Sequence, residues 1–232
     1  MSLRRKLSIA TLSVFVIMAG LAVTAKLRLM PDRYNPMAPI DLAAKPTLVT
    51  DAKLWLMSGD TKACIDAFQR AGAPVKPMPS RTDRPGCTRE GTVEISRLST
   101  ARLDPEEMNC DVALRLYLLE RHDIQPLARK YFGSDVSRIL HFGSYSCRTI
   151  RGKSRMSQHA TANAFDISGF RLANGRTVSP LKDWNAGGAS TRFLRDVRTS
   201  ACLLFNLVLS PDYNADHADH FHVDMGWYIS CR

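Results

Sequence analysis

Hydrophobic and polar positions recur along this chain in distinct rhythms, and each rhythm predicts an element. From Leu7 to Ala25 the run is apolar and uncharged, long enough to span a bilayer as a helix. Pro31 to Pro46 is proline-rich without a period, which predicts an extended tether. Ala52, Leu54, Trp55, Ala63, Ile65 and Phe68 predict a helix from Thr50 or Asp51 to about Arg70, broken at Ser58-Gly59-Asp60. Residues 72–86 read as a loop containing Pro74, Pro77, Pro79 and Pro85, and Thr92 to Ser96 alternates as a strand. Asp104-Pro105-Glu106-Glu107 has the order of a helix start: cap residue, proline, then acids. Behind it, Val112, Leu116, Leu119, Ile124, Leu127 and Tyr131 predict a long amphipathic helix over 110–132, bent near Pro126 and ended by Gly133-Ser134-Asp135. Residues 136–147 and 163–172 read as strands, with Asn174-Gly175 as a hairpin turn and Thr177 and Val178 on the return. A helix over about 190–209 follows Gly187-Gly188. Ser210-Pro211-Asp212 turns the chain, and 221–229 forms a last strand.

Helices and strands mix without a repeating strand–helix unit, and several strand pairs read as antiparallel. The expected fold class is therefore α+β: a small, mainly antiparallel sheet with flanking helices. Three stretches follow from the pattern: 1–30 as membrane anchor or signal segment, 31–50 as tether, and 51–232 as the folded domain. At 45% hydrophobic and 23% charged, the composition is that of a globular protein.

Charge adds orientation. The net charge is +10, but Arg4, Arg5, Lys6, Lys26 and Arg28 all precede the first acid, Asp32; without them it falls to +5. The cluster ahead of the apolar run predicts a cytoplasmic N-terminus and an inner-membrane, single-pass protein with its C-terminal domain in the periplasm. The alternative is a signal peptide cleaved near Val23-Thr24-Ala25, releasing the domain to the same compartment. No aromatic–basic interleaving points to nucleic acid, so it is not expected as a partner.

Cys64, Cys87, Cys110, Cys147, Cys202 and Cys231 include no C-x-x-C pair. Dispersed cysteines behind an export segment predict disulfides rather than a zinc ribbon. Spacing cannot choose among the pairings; joining neighbours would give Cys64–Cys87, Cys110–Cys147 and Cys202–Cys231.

The candidate chemistry lies in two blocks. Ser157-Gln-His159-Ala-Thr-Ala162-Asn-Ala164-Phe-Asp166 separates a histidine from an aspartate by seven positions, and His217-Ala-Asp219-His220-Phe-His222 packs three of the six histidines. Imidazole and carboxylate are ordinary zinc ligands, and a catalytic zinc takes three protein ligands and one water. His159, Asp166 and His222 are the expected ligands of a Zn2+ cofactor. In an extended segment His220 and His222 share a face while Phe221 and Val223 point into the core. Asp219, His217 and His220 are the candidates for proton transfer, and strand alternation sets Asp219 on the face opposite His222 unless the chain bends. Arg148 is a candidate for stabilising an oxyanion or holding a substrate carboxylate. Ser157 is either a substrate-binding residue or a cap. His122 and His141 are expected to be structural, and Trp55, Trp184 and Trp227 to pack in the core.

Ser-x-His-x-x-Ala-x-Ala-x-Asp over 157–166 resembles the Ser-x-His-x-x-Gly-x-Ala-x-Asp motif of the LAS metallopeptidases, a group that includes D-Ala-D-Ala peptidases and shares the Hedgehog-like fold. His217 to His222 is similar to the second block of penicillin-insensitive murein endopeptidase. Gly143-Ser-Tyr-Ser-Cys-Arg148 looks like the bacterial extensin-like C-terminal domain family, a resemblance that runs from about Pro39 to Arg232. The resemblance implies a zinc peptidase site with His159, Asp166 and His222 as ligands, and peptidoglycan stem peptides or cross-links as substrate. Ala162 stands where the LAS motif has glycine. A non-catalytic envelope module that binds peptidoglycan or a protein partner is the alternative, because this fold also serves binding.

Overall fold

The computed structural model describes residues 29–232 continuously, with scattered positions between 12 and 26. Most of the 7–25 run, and with it the anchor expectation, lies outside the described residues. Among these, no helix is long and apolar enough to cross a membrane.

Residues 31–50 are not a free tether. Ile40 and Leu42 are buried in the core cluster. The backbone carbonyls of this stretch are taken by the domain: Lys53 Nζ donates to Asp32 O, Arg70 to Ile40 O and Arg121 to Ala43 O. The segment opens with a 3-10 turn at Asp32–Tyr34 and runs on through further turns and bends, and two apolar side chains bind it to the surface it crosses. Helices α1 (Thr50–Met57) and α2 (Thr61–Arg70) follow. They are divided at the expected break, where Gly59 takes a positive φ and the Asp60 side chain caps α2 by accepting from Ala63 N–H at 3.0 Å.

The proline-rich loop holds two short strands, β1 (Val75–Pro77) and β2 (Arg81–Thr82), before β3 (Thr88–Arg89) and β4 (Thr92–Arg97). The Asp-Pro-Glu-Glu stretch does not start a helix. It lies in β5 (Arg102–Asn109), antiparallel to β4. Pro105 falls in the irregular stretch of the pairing, between Arg97↔Arg102 and Ile95↔Glu106, where no ladder amide is required. Both acids accept tertiary hydrogen bonds instead. Glu106 takes the Ser144 N–H, and Glu107 takes Arg89 and Thr92. The helix begins eight positions beyond Arg102, where Asn109 accepts from Asp111 N–H and caps α3 (Cys110–Leu119).

From α3 the chain passes through a π turn, Glu120–Ile124, into α4 (Gln125–Phe132), ended by Gly133 in the left-handed region. The π turn is the bend expected near Pro126. Proline has no N–H and its ring would meet the carbonyl four residues back, so the wider turn relieves the clash. Strand β6 (Val136–Gly143) leads through residues 144–163 to β7 (Ala164–Leu172), and the Asn174-Gly175 turn returns it as β8 (Thr177–Val178). Helix α5 (Pro180–Asp183) precedes α6 (Gly188–Leu204), which ends earlier than expected. Leu207–Leu209 is strand β9, paired with β10 (Phe221–Asp224), and β11 (Ser230–Cys231) closes the chain.

Among the described residues, nine strands form one sheet in the order β1-β4-β5-β6-β7-β10-β9-β11, with β8 on β7; β2 and β3 form a separate pair. The pairings are antiparallel except β5–β6 and β9–β11. Mixed α+β architecture with a mainly antiparallel sheet is thus what the structure has. Helix α3 packs on β4 and β5, and α6 on α3 and α4. Phe165, Ile167, Phe221 and Val223 join the buried cluster with Leu116, Phe193 and Val197.

All six cysteines are paired, as Cys64–Cys110, Cys87–Cys147 and Cys202–Cys231. Neighbour pairing holds only for the last. Cys64 and Cys87 are both buried, and each finds its partner across the fold: α2 brings Cys64 to the start of α3, and the β2–β3 hairpin brings Cys87 to Cys147. Trp184 is buried, donates to Asp212 and meets Phe221 edge-on. Trp55 and Trp227 are 74% and 92% exposed, so core packing does not account for them.

Candidate metal centre

Two strands supply one half of the site by register. His222 on β10 lies directly opposite Asp166 on β7, flanked by the pairs Phe221↔Ile167 and Val223↔Phe165. Because side chains alternate, the apolar pairs enter the core and Asp166, His222 and Asp224 project on the other face. The third residue comes from a 3-10 turn, Gln158–Thr161, which carries His159. Ser157 caps it, its hydroxyl accepting the His159 N–H at 3.3 Å, so the cap role is the one the structure supports. Ala162 closes the turn at φ 53°, the left-handed region. It is the only such non-glycine among the described residues, and it keeps the turn that glycine would make at a local cost of about 1–2 kcal/mol.

The three side chains meet closely. His159 Nε2 is 3.1 Å from His222 Nδ1 and 3.1 Å from Asp166 Oδ2, and His222 Nδ1 is 3.0 Å from Asp166 Oδ1. Their surroundings assign the tautomers. His159 Nδ1 lies 2.8 Å from Ser144 O, a carbonyl that can only accept, so Nδ1 carries the hydrogen and Nε2 is a bare lone pair. His222 Nε2 lies 2.9 Å from Asp224 Oδ2 and donates to it, which frees Nδ1. Two lone pairs and a carboxylate then converge with no donor among them. Such a group stays together only around a proton or a cation. Ligand atoms around a tetrahedral zinc stand about 3.3 Å apart, given bonds of about 2.0–2.1 Å, so the spacing suits that ion. A histidine donating its far N–H to a carboxylate or carbonyl is the usual support of a metal ligand.

Electrostatics agree with the geometry. Burial alone would raise the Asp166 carboxyl, but the two imidazoles set against it favour its charged form and hold it well below the usual carboxylate range. Burial likewise opposes charge on His222, yet hydrogen bonds to Asp166 and Asp224 outweigh it and push His222 up to about 9. Where no metal is bound, a proton occupies the position a cation would take.

The other expected residues are placed differently. His220 Nδ1 is 2.8 Å from Asp219 Oδ1, and its Nε2 is 3.6 Å from Asp166 Oδ1. His220 therefore turns its free nitrogen toward the centre, and Asp219 orients it from behind. His217 stacks on His220 at 5.2 Å and lies 6.0 Å from His222. Burial, then the nearby His220 and His222, push it down to about 4, so it is neutral at pH 7. Phe142, edge-on to His220, and Tyr213, edge-on to His217, are both exposed and rim this side. Arg148 is exposed at the rim, and its carbonyl accepts the Ser157 N–H at 3.0 Å. His141 stacks on Phe165 and His122 bonds Leu42 O, away from the three ligands.

Two supporting residues escaped the sequence analysis. Asp224 was legible in principle, because it follows His222 by two positions on a strand and so shares its face. Ser144 left no such signal, since it acts through a backbone carbonyl.

No curated protein and no solved structure matches the chain. One family model does, extensin-like protein C-terminus, over residues 62–232. That span takes in the strands, the disulfides and every residue of the centre just described, and on it the chain belongs to the extensin-like C-terminal family.

Proposed function

We propose that this domain is a zinc-dependent peptidase that hydrolyses amide bonds in peptidoglycan stem peptides or cross-links, and that it works in the periplasm, either anchored in the inner membrane by its N-terminal segment or released there after cleavage of that segment. The observation that carries this reading is the convergence of His159 Nε2 and His222 Nδ1, 3.1 Å apart, on the Asp166 carboxylate, one nitrogen at 3.1 Å from Oδ2 and the other at 3.0 Å from Oδ1, with both imidazole tautomers held by outer partners. The similarity of the two motif blocks to the LAS metallopeptidases supports the same reading.

His159, Asp166 and His222 would hold the ion, which supplies Lewis acidity toward a carbonyl and acidifies water. The chain's own residues do the rest. His220 accepts a proton at Nε2, because its Nδ1–H is committed to Asp219. Asp219 then stabilises the imidazolium, and the proton passes from Nε2 to the departing amine. His217, held neutral, adds no competing charge beside His220. Arg148, at the rim, is the candidate to meet a substrate carboxylate.

The deep burial of the three ligands also suits a non-catalytic envelope module, in which the ion would only brace the fold. One experiment separates the two. Metal content of the purified protein, with digestion of muropeptides in the presence and absence of chelator, is compared among wild type, Asp166→Ala and His220→Ala. The peptidase reading expects one zinc per chain, lost with Asp166→Ala and kept in His220→Ala, and activity lost in both. Zinc without turnover in wild type would favour the binding module. No zinc after supplementation would overturn the metal centre itself.

A further inference from the structure

Two oppositely charged lips face each other beside the centre. One is the 148–156 hairpin, closed by the Thr149↔Met156 bridge and the Ile150–Arg155 hydrogen bond. It carries Arg148, Arg151, Lys153 and Arg155, all exposed. Its base is fixed: Ser157 N–H bonds Arg148 O, Cys147 is bridged to Cys87, and the Arg84 guanidinium donates to Cys147 O. The other lip is the 210–220 loop, with Asp212, Asp216 and Asp219. Asp212 is engaged by Trp184 and Arg195, and Asp219 by His220, which leaves Asp216 to face the basic lip. Arg151 Nη1 meets Asp216 Oδ1 at 2.5 Å. This ion pair links the hairpin that leads into the His159 turn to the loop that carries His217, spanning the approach between them.

The pair is poorly placed as a structural clamp. Its side chains are 82% and 38% exposed, and an ion pair in water contributes little to stability. It is well placed as a pair that a ligand exchanges. A ligand with one charge would satisfy one partner and strand the other, whereas a ligand with both charges on one carbon satisfies both. We infer that Arg151 and Asp216 form a subsite for a zwitterionic α-amino-acid head group, its carboxylate taking the planar guanidinium fork and its ammonium taking the Asp216 carboxylate. A diamino diacid residue within a peptide presents such a group at the end of its side chain. The inference rests on the peptidase reading for its substrate class and names the part of the peptide that lies across the lips.

The test measures binding rather than turnover, so that it fails separately from the peptidase reading. Zinc-supplemented full-length protein is titrated calorimetrically with four synthetic tripeptides ending in a diamino diacid residue or its analogue: free head group, amidated carboxylate, acetylated amine, and lysine in its place. Wild type should bind the free head group about tenfold more tightly than the other three. Arg151→Gln should abolish the preference against the amide and the lysine peptide while keeping the preference against the acetylated amine. Asp216→Asn should do the reverse. Metal content and circular dichroism of both exposed-site variants should match wild type. Equal binding of all four peptides, equal losses for every peptide in either variant, or no binding at all would each overturn the subsite. Selective binding without cleavage would leave the subsite standing and count against the peptidase.

Discussion

In the proposed zinc site, Asp224 is the residue that would set how well His222 serves as a ligand. Its Oδ2 accepts from His222 Nε2 and its Oδ1 from Gly226 N–H, so one carboxylate fixes both the ring and the strand end. Asp224→Asn keeps the shape and removes the charge. Zinc affinity, measured by competition with a chelating dye, should fall about 10–100-fold with the fold intact; an unchanged affinity would deny Asp224 that role. The same environment predicts opposite pH responses for the two forms of the protein. His222 is pushed up to about 9 in the folded metal-free chain, from an unfolded value of about 6.5. A raised pKa gives stability that is fully present below the unfolded value and is lost as pH rises through the folded one. Metal and proton compete for Nδ1, so zinc affinity should rise about tenfold per pH unit over the same window. Melting curves of chelator-treated and zinc-loaded protein should therefore diverge from about pH 6.5 to pH 9. Parallel curves would mean that His222 Nδ1 is not where the ion sits.

At the scale of elements, the π turn between α3 and α4 is held by one buried acid. Glu120 is fully buried, and its carboxylate accepts from the backbone of Ser99, Thr100 and Ala101, the Ser99 hydroxyl and the Gln125 amide. Glu120→Ala strands those donors and should cost about 3 kcal/mol or more in chemical denaturation. A loss below about 1 kcal/mol would show that water replaces the carboxylate. Much at this scale was legible beforehand. Strands β4 and β7, the Asn174-Gly175 turn, the Gly59 break and the bend before Pro126 follow from local preferences that agree with the final packing. The meeting of His222 with Asp166 was legible in part, because both lie in segments that read as strands, and pairing of those strands sets the two residues opposite each other. What misled was Asp104 to Glu107, where cap, proline and acids imitate a helix start, but each glutamate answers a donor distant in sequence. Leu207 failed similarly: helical spacing continues past Leu204, yet pairing with β10 claims Leu207–Leu209 as strand. Local periodicity does not record which edge of a sheet is waiting for a partner. The ion pair of Arg151 with Asp216 and the carbonyl of Ser144 were illegible for the same reason.

For the whole molecule, the three disulfides divide the labour between stability and site. Cys64–Cys110 ties α2 to the start of α3, where the neighbouring Asn109 N–H bonds Ala162 O at the end of the His159 turn, while Cys87–Cys147 holds the chain that runs into the basic hairpin and the His159 turn; Ser146 N–H bonds His159 O one residue away. Replacing either pair by alanines should lower stability by about 2–4 kcal/mol. The loss of Cys87–Cys147, which holds the start of the segment that carries His159, should weaken zinc binding more than the loss of Cys64–Cys110, as read by dialysis against graded chelator. Equal zinc affinity in both variants would show that the ligand frame is independent of that bridge.

The wrapping of residues 31–50 around the domain has a mechanical consequence. With Ile40 and Leu42 in the core and Asp32 fastened by Lys53, seven peptide steps separate Ala25, the end of the apolar run, from the first anchored residue, about 25 Å at full extension. A chain held at Ala25 is on a short leash. If the apolar run at 7–25 lies in a bilayer, the near side of the domain stays within that distance of the lipid surface, and the domain meets only material that lies, or is brought, within its own reach of that layer.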